Sequence, residues 1–349
     1  MSLVDSLPLS SDTAGGDRPR VAARRARAPR RHPLLWYALR RLATGVLLAL
    51  AVSVLIFAAT QVLPGDAARA MLGREANPVA LEQLRDQLGL NRPLVEQYGS
   101  WLWDLLHGDL GTSYASRGPV TQLLAGRTFN TLVLSLVALV VIVPLSLVLG
   151  AIAGVRRGKP IDHAISGTTL AAVAIPEFVV GTLLAALFAV RWGWLPAVSL
   201  VPSGGSPLDK PSILVLPVVT LAISGLAANI RMVRAGVATQ MSAEYVEAAR
   251  LNGVPEGRVI RRHVLRNSLA PSIQTFAITV QWLVSGVIVV EAVFQYPGLG
   301  NSLVAAVGLR DGAVVQSLGF LIALTYIVVN IVADLAVVLL IPKLRTSAS

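Results

Sequence analysis

Three carboxylates stand inside or at the edge of apolar runs in this chain: Glu177, Glu291 and Asp334. A charge in such a setting needs a partner or a task, such as carrying a proton, holding an ion or touching a small ligand. Glu177 follows Pro176, a residue expected to bend its helix and free a carbonyl. Three roles stay open for it: lining a passage, pairing with a basic group of a neighbouring subunit, or packing as a protonated acid. Asp334 sits two turns before Pro342, and a structural pairing with Arg345 or another loop arginine is expected ahead of ligand contact, because a buried charge needs a partner. Gln281 and Ser285 share a helix face at i and i+4, suited to ligand contact or to helix–helix hydrogen bonding. Glu291 opens a segment whose two glycines, 298 and 300, flank Leu299 and suit a tight loop.

No set of residues for bond-making chemistry accompanies them. The phosphate loop G-x-x-x-x-G-K-[ST] is absent, as is H-E-x-x-H. There are no cysteines, which excludes disulfides and thiolate metal sites. The histidines, at 32, 107, 163 and 263, never fall at helical ligand spacing. No cofactor or metal is expected on this chain.

The elements that position these residues follow from composition. The chain has 349 residues, 54% hydrophobic and 14% charged, against about 25% charged for a soluble domain. Too little polar surface remains for a soluble fold, and an all-α integral membrane protein is implied. About 20 apolar residues cross the hydrocarbon as a helix. Six spans are expected near 42–64, 131–155, 164–190, 211–233, 272–293 and 313–341, with kinks at Pro144 and Pro217. The net charge is +11, and only three of the 30 basic residues are lysine. That balance could suggest nucleic acid, but the arginines gather beside alternate spans and instead set orientation. Nine lie between Arg18 and Arg41, and seven lie between spans four and five. Both termini are therefore expected in the cytoplasm, with 65–130 outside. The first apolar run exceeds a signal-peptide core of roughly 7–15 residues, so an uncleaved anchor is expected. Residues 1–32 read as a disordered, arginine-rich tail that can also attract anionic lipid. No internal repeat is visible.

Residues 234–271 are too long and too polar for a simple connection. Ser242 is a candidate N-cap, with Glu244 in the first turn behind it. Tyr245, Ala248 and Ala249 share a face at i, i+3 and i+4, and the alanines leave it shallow. Gly253 suits the left-handed closing position, and Pro255 suits the start of a second, basic helix reaching Arg266 and Pro271. The residues alone permit an interfacial hairpin on lipid headgroups. A DNA-reading helix-turn-helix is disfavoured by six surrounding spans.

Glu247-Ala248-Ala249, three residues and Gly253 resemble the EAA loop of ABC importer permeases. The downstream His263-Val264-Leu265-Arg266 departs from the generic I-x-L-P, matching only at Leu265. The form Arg262-His263-Val264-Leu265-Arg266-Asn267, with Pro271, is instead similar to the dipeptide/oligopeptide/nickel subfamily. Four further segments resemble it: 63–66 (LPGD), 108–114 (GDLGTSY), 193–197 (GWLPA) and 291–300 (EAVFQYPGLG), with Arg310-Asp311 beyond them. The likeness covers about 33–345, and the long 65–130 segment resembles that of the first, B-type subunit. Residues 341–345 depart from the family in lacking an acid before the proline.

The resemblance implies the ABC importer type I permease fold in a bacterial plasma (inner) membrane. It implies a second homologous permease, two ATP-binding subunits, an extracytoplasmic substrate-binding protein, and contact with membrane lipid but not nucleic acid. ATP and Mg would sit on the partners. Tyr245, Glu247, Ala248, Ala249, Arg250 and Gly253 would meet the ATPase, and Glu177, Gln281, Ser285, Glu291 and Asp334 would be path or gate candidates. Short peptides are the implied cargo, although relatives of this form also carry nickel or other solutes. The contrasting reading is a self-sufficient secondary transporter or channel using Glu177 and Asp334.

Overall fold

A computed structural model describes residues 33–62, 67–72, 77–87, 89–202 and 204–340 of the chain. The arginine-rich tail, the 63–66 segment, and the expected partner Arg345 lie outside the described residues. The chain runs through α1 (Pro33–Val62), α2 (Ala67–Leu72), α3 (Pro78–Gln87), α4 (Leu94–Leu106), α5 (Val120–Val155), α6 (Pro160–Ala174) and α7 (Glu177–Leu184). A π turn, Ala185–Arg191, extends α7. Then come α8 (Ser212–Met241), α9 (Glu244–Leu251), α10 (Glu256–Arg258), α11 (Leu265–Val293), α12 (Leu299–Leu309) and α13 (Gly312–Leu340). Among the described residues the architecture is all-helical, with one isolated β-bridge between Thr112 and Pro119.

Five helices contain stretches long and apolar enough to cross a membrane: 35–61, 120–155, 212–241, 272–293 and 312–339. In hydrocarbon a chain must satisfy its own backbone, and a helix does so locally. The pair α6 and α7 passes the same test together but bends by 102°. Its break falls at Ile175 and Pro176, where the expected proline bend becomes a full break. The helices through Pro144 and Pro217 continue on both sides of those residues. Several helices outrun the expected spans. The first begins at Pro33 and carries Arg40 and Arg41 within it, and α8 runs on to Met241.

The core is organised around α8, which packs along α5 and α11. Gly150 and Gly154 of α5 face Val233 and Val237 of α8. A Cβ at either glycine would stand 2.6 Å from the opposing valine Cβ. Glycines four apart thus let two backbones approach, the small-residue packing that substitutes for a hydrophobic drive between helices in lipid. On its other contact, Asn229 of α8 donates to Thr279 Oγ1 of α11 at 2.8 Å, both buried. Inside an apolar bundle such a polar pair fixes register because its loss would leave unsatisfied groups. Along the bundle's edge, Gly45 of α1 packs under Ile331 of α13.

Candidate functional site

The arginine-rich end of the bundle is built on Val246. This residue is fully buried in a cluster with Val233, Val237, Val259 and Val264, against which Val155, Ala243, Ala249 and Val254 also pack. The cluster ties α9 to α8, to the end of α5 and to the start of α11. Glu244, Tyr245, Glu247, Ala248 and Leu251 of α9 are exposed, Leu251 at 83%. Ala249 therefore turns inward, away from the face expected for it, and Val246 is the anchor that the i, i+3, i+4 pattern missed. Ser242 does not cap the helix. It ends α8, and Ala243 occupies the N-cap without a side-chain bond.

The turn after α9 follows the expected geometry. Gly253 has φ +73°, a conformation that costs other L-residues about 1–2 kcal/mol. Its N–H donates to Arg250 O, and Val254 N–H donates to Ala249 O, at 2.9 and 3.1 Å. Arg250 donates twice to the Glu256 carboxylate, at 3.0 and 2.7 Å. That bond holds the Glu256 carboxyl below, and the Arg250 guanidinium above, their ordinary ranges. Tyr245 donates to Gln240 Oε1 at 2.5 Å and accepts from Asn267 Nδ2 at 3.2 Å, linking α8, α9 and α11. The basic helix departs from expectation. A π turn, Val259–Val264, stands between the short α10 and α11, which then runs unbroken to Val293.

A buried ion pair braces the same end. Asp162, at the start of α6, is fully buried. It accepts from Arg234 of α8 at 2.5 and 2.7 Å and from Gly158 N–H at 2.9 Å. Sequence reading passed over Asp162 because it sits just outside an apolar window, where a charge looks like an ordinary loop residue.

At the opposite end, the 108–114 and 291–311 segments close on one another. Glu291 is buried. It accepts from Thr131 Oγ1 at 2.6 Å, Gly300 N–H at 2.7 Å and Asn301 N–H at 3.3 Å. The carboxylate thus caps α12 across the 294–298 turn and pins it to α5, a favourable charge at a helix N-terminus. Gly298 lies directly against this carboxylate, and a side chain there would displace it. Tyr296 donates to Asn130 O at 2.7 Å, and Asn130 Nδ2 donates to Pro297 O at 2.9 Å. Burial pushes the Tyr296 phenol up. Arg127 of α5 also bonds Ser302. Asp311 accepts from Ser113 Oγ at 2.5 Å and Ala115 N–H at 3.1 Å, joining the 108–114 segment to the α12–α13 corner. Arg310 makes that corner by ending α12 at φ 57°. Ser199 N–H donates to Phe294 O at 2.8 Å, adding the segment after 193–197.

The remaining candidates are dispersed. Asp334 pairs with Arg41 of α1 at 3.0 Å, so its partner is a helix residue rather than the expected loop arginine. Ser285 lines a groove with both of them, between α1, α11 and α13. Gln281 is half-buried on α11, outside that groove. Glu177 begins α7 and packs against Gly286 of α11. Among the described residues no three His, Asp or Glu side chains could together hold a metal.

Apolar helices, one broken at a proline, with a polar helix docked at one end and a hydrogen-bonded knot at the other, define a multi-pass helical membrane protein. The chain belongs to the family of binding-protein-dependent transport system inner membrane components. That family's model matches residues 146–346, and its N-terminal companion matches residues 34–149. A Brucella abortus protein named as a peptide transport system permease is 34% identical over 307 residues, 88% of this chain and 98% of that protein. The glutathione transport system permease protein GsiC of Escherichia coli K12 is 35% identical over 312 residues, 89% of this chain and 99% of its own. The chain is thus a multi-pass inner-membrane permease of the dipeptide/oligopeptide ABC type.

Proposed function

We propose that this chain is the B-type permease subunit of an ATP-driven importer of short peptides, and that α9 is its ATPase-docking helix. The observation carrying this is the division of labour on α9. Val246 locks it to the bundle, while Glu244, Glu247, Ala248 and Leu251 face outward. Glu247 is exposed; its carboxylate meets no hydrogen-bond donor among the described residues and interacts electrostatically with Arg250. Counting the bent α6–α7 pair as one span gives six spans. The arginine excess beside α8, α9 and α11 puts that end and both termini in the cytoplasm. The 291–311 knot then lies outside, where a substrate-binding protein docks. Relatives named for peptide and glutathione transport favour a peptide cargo.

A second permease completes the passage, and two partner ATPases bind ATP and Mg. Closure of the ATPases displaces α9. The Val246 cluster passes the movement to α8 and α11, and the glycine contact carries α5 with them. A state change of this kind requires only that ATP-bound partners favour one arrangement over the other. The test is co-expression with the partner ATPases of Glu247→Ala and, separately, Gly253→Val. Uptake is expected to fall at least about tenfold, a loss of roughly 1.4 kcal/mol of coupling. Intact uptake and assembly in both variants would show that α9 does not couple.

A further inference from the structure

Among the described residues of the bundle, Glu177 is the one carboxylate whose position the fold leaves unexplained. Glu291 has three donors, Asp162 has Arg234 and Asp334 has Arg41. By contrast, Glu177 Oε1 is buried without a hydrogen-bond partner. The residue as a whole is only half-buried. It stands where the helix pair breaks by 102°. A bend there exposes side chains that a straight span would turn toward its neighbours.

The surroundings are specific. A Cβ at Gly286 would stand 3.2 and 3.3 Å from the two Glu177 oxygens and 3.3 Å from Cζ2 of Trp282. Carboxylate and indole therefore pack side by side on the bare backbone at 286, in the notch its missing side chain leaves for them. Trp282 is itself braced, with Cζ3 3.1 Å from the Cβ position of Gly225 on α8. An anionic oxygen close to an indole ring is a combination that can recognise a primary ammonium, through a charge-assisted hydrogen bond and, where the cation reaches the ring face, a cation–π contact.

We propose that Glu177, Trp282 and the Gly286 notch form a binding site for the α-ammonium group of a peptide in transit. This rests on the reading of the chain as a peptide importer subunit and deepens it. Among the described residues no cation meets the carboxylate, and a passing free N-terminus supplies one. The contact is transient because only one oxygen is enclosed, so the peptide is held at the break and then released. A basic side chain of the second permease would be a different occupant and is separated by the experiment below.

The complete importer is reconstituted in proteoliposomes with its binding protein, and uptake of trialanine is measured at saturating ATP. Wild-type uptake is the control for the functional reading, and its absence would refute that reading whatever Glu177 does. With wild-type uptake established, Glu177→Gln is expected to lower trialanine uptake at least about tenfold, the scale of one lost charge-assisted hydrogen bond. Glu177→Asp is expected to restore most of it, and Trp282→Leu to lower it as well. The quantity of assembled complex recovered from Glu177→Gln should match wild type. Unchanged uptake in Glu177→Gln would overturn the proposal. Loss of the second permease from the purified Glu177→Gln complex would also overturn it, by assigning the carboxylate to a subunit contact.

Discussion

Glu291 illustrates how a residue flagged as functional can be architectural. Its carboxylate receives the Thr131 hydroxyl and the Gly300 and Asn301 N–H groups. Truncation to alanine strands three donors, each worth about 1–3 kcal/mol when left unsatisfied. Glu291→Ala should lower the melting temperature of the detergent-solubilised protein more than Thr131→Val, which removes one side of the arrangement; the reverse order would refute the capping role. The Asp162–Arg234 pair makes a second demand at this scale. Removing one member of a buried pair costs about 3–5 kcal/mol, the lower end applying where water still reaches one partner. Arg234 keeps 30% of its side-chain exposure and Asp162 only 1%. Arg234→Ala, which abandons the enclosed charge, should therefore melt lower than Asp162→Asn. Asp334, Glu291 and Glu177 were legible as unusual because a charge in an apolar run stands out. The partners of Asp334 and Glu291 were not, because Arg41 and Thr131 lie hundreds or scores of residues away and only folding brings them near.

At the scale of elements, the close approach of α5 and α8 is the feature on which the bundle most depends. Gly154→Leu should prevent recovery of folded protein, and Gly154→Ala should lower its melting temperature, with Val237→Ala in the same chain recovering part of the loss. Wild-type melting of Gly154→Ala would contradict the contact. The glycine pair is visible in the sequence as Gly150-x-x-x-Gly154, yet an apolar window read only for length passes over it. The α9 turn was largely legible, since Gly253 and Pro255 are local signals that fix backbone conformation. Its inward face was misplaced because the docking of Val246 depends on α5, α8 and α11 together. The Arg250–Glu256 clasp has a pH signature. Its Glu256 carboxyl is held below the ordinary value, so the clasp persists above that value and is lost as pH falls through the depressed one. Protection of the 250–258 turn against hydrogen exchange, taken relative to the intrinsic rate at each pH, should be flat near neutrality and fall only at acid pH, below the ordinary glutamate range; a fall near pH 7 would point to another group.

For the whole molecule, composition and arginine distribution are strong signals because the bilayer permits few architectures. The helical class, the membrane location and the family followed from them and from the 241–271 segment. The bend of α6 against α7 was foreshadowed by Pro176, though not its size, which depends on what α7 packs against. Taken alone in liposomes, the purified chain should show no peptide flux under a proton or sodium gradient; flux without ATPases would favour a self-sufficient transporter. The central claim, that α9 docks on a partner ATPase, can be tested without disturbing the native chain because it contains no cysteine. A single cysteine placed at Leu251 or Ala248, matched by cysteines scanned across the ATPase surface, should form a subunit-spanning disulfide in the assembled importer. A cysteine at Val95, equally exposed at 82% but on the far end, should form none. Absence of any crosslink from 248 and 251 in an intact, transporting complex would contradict the account.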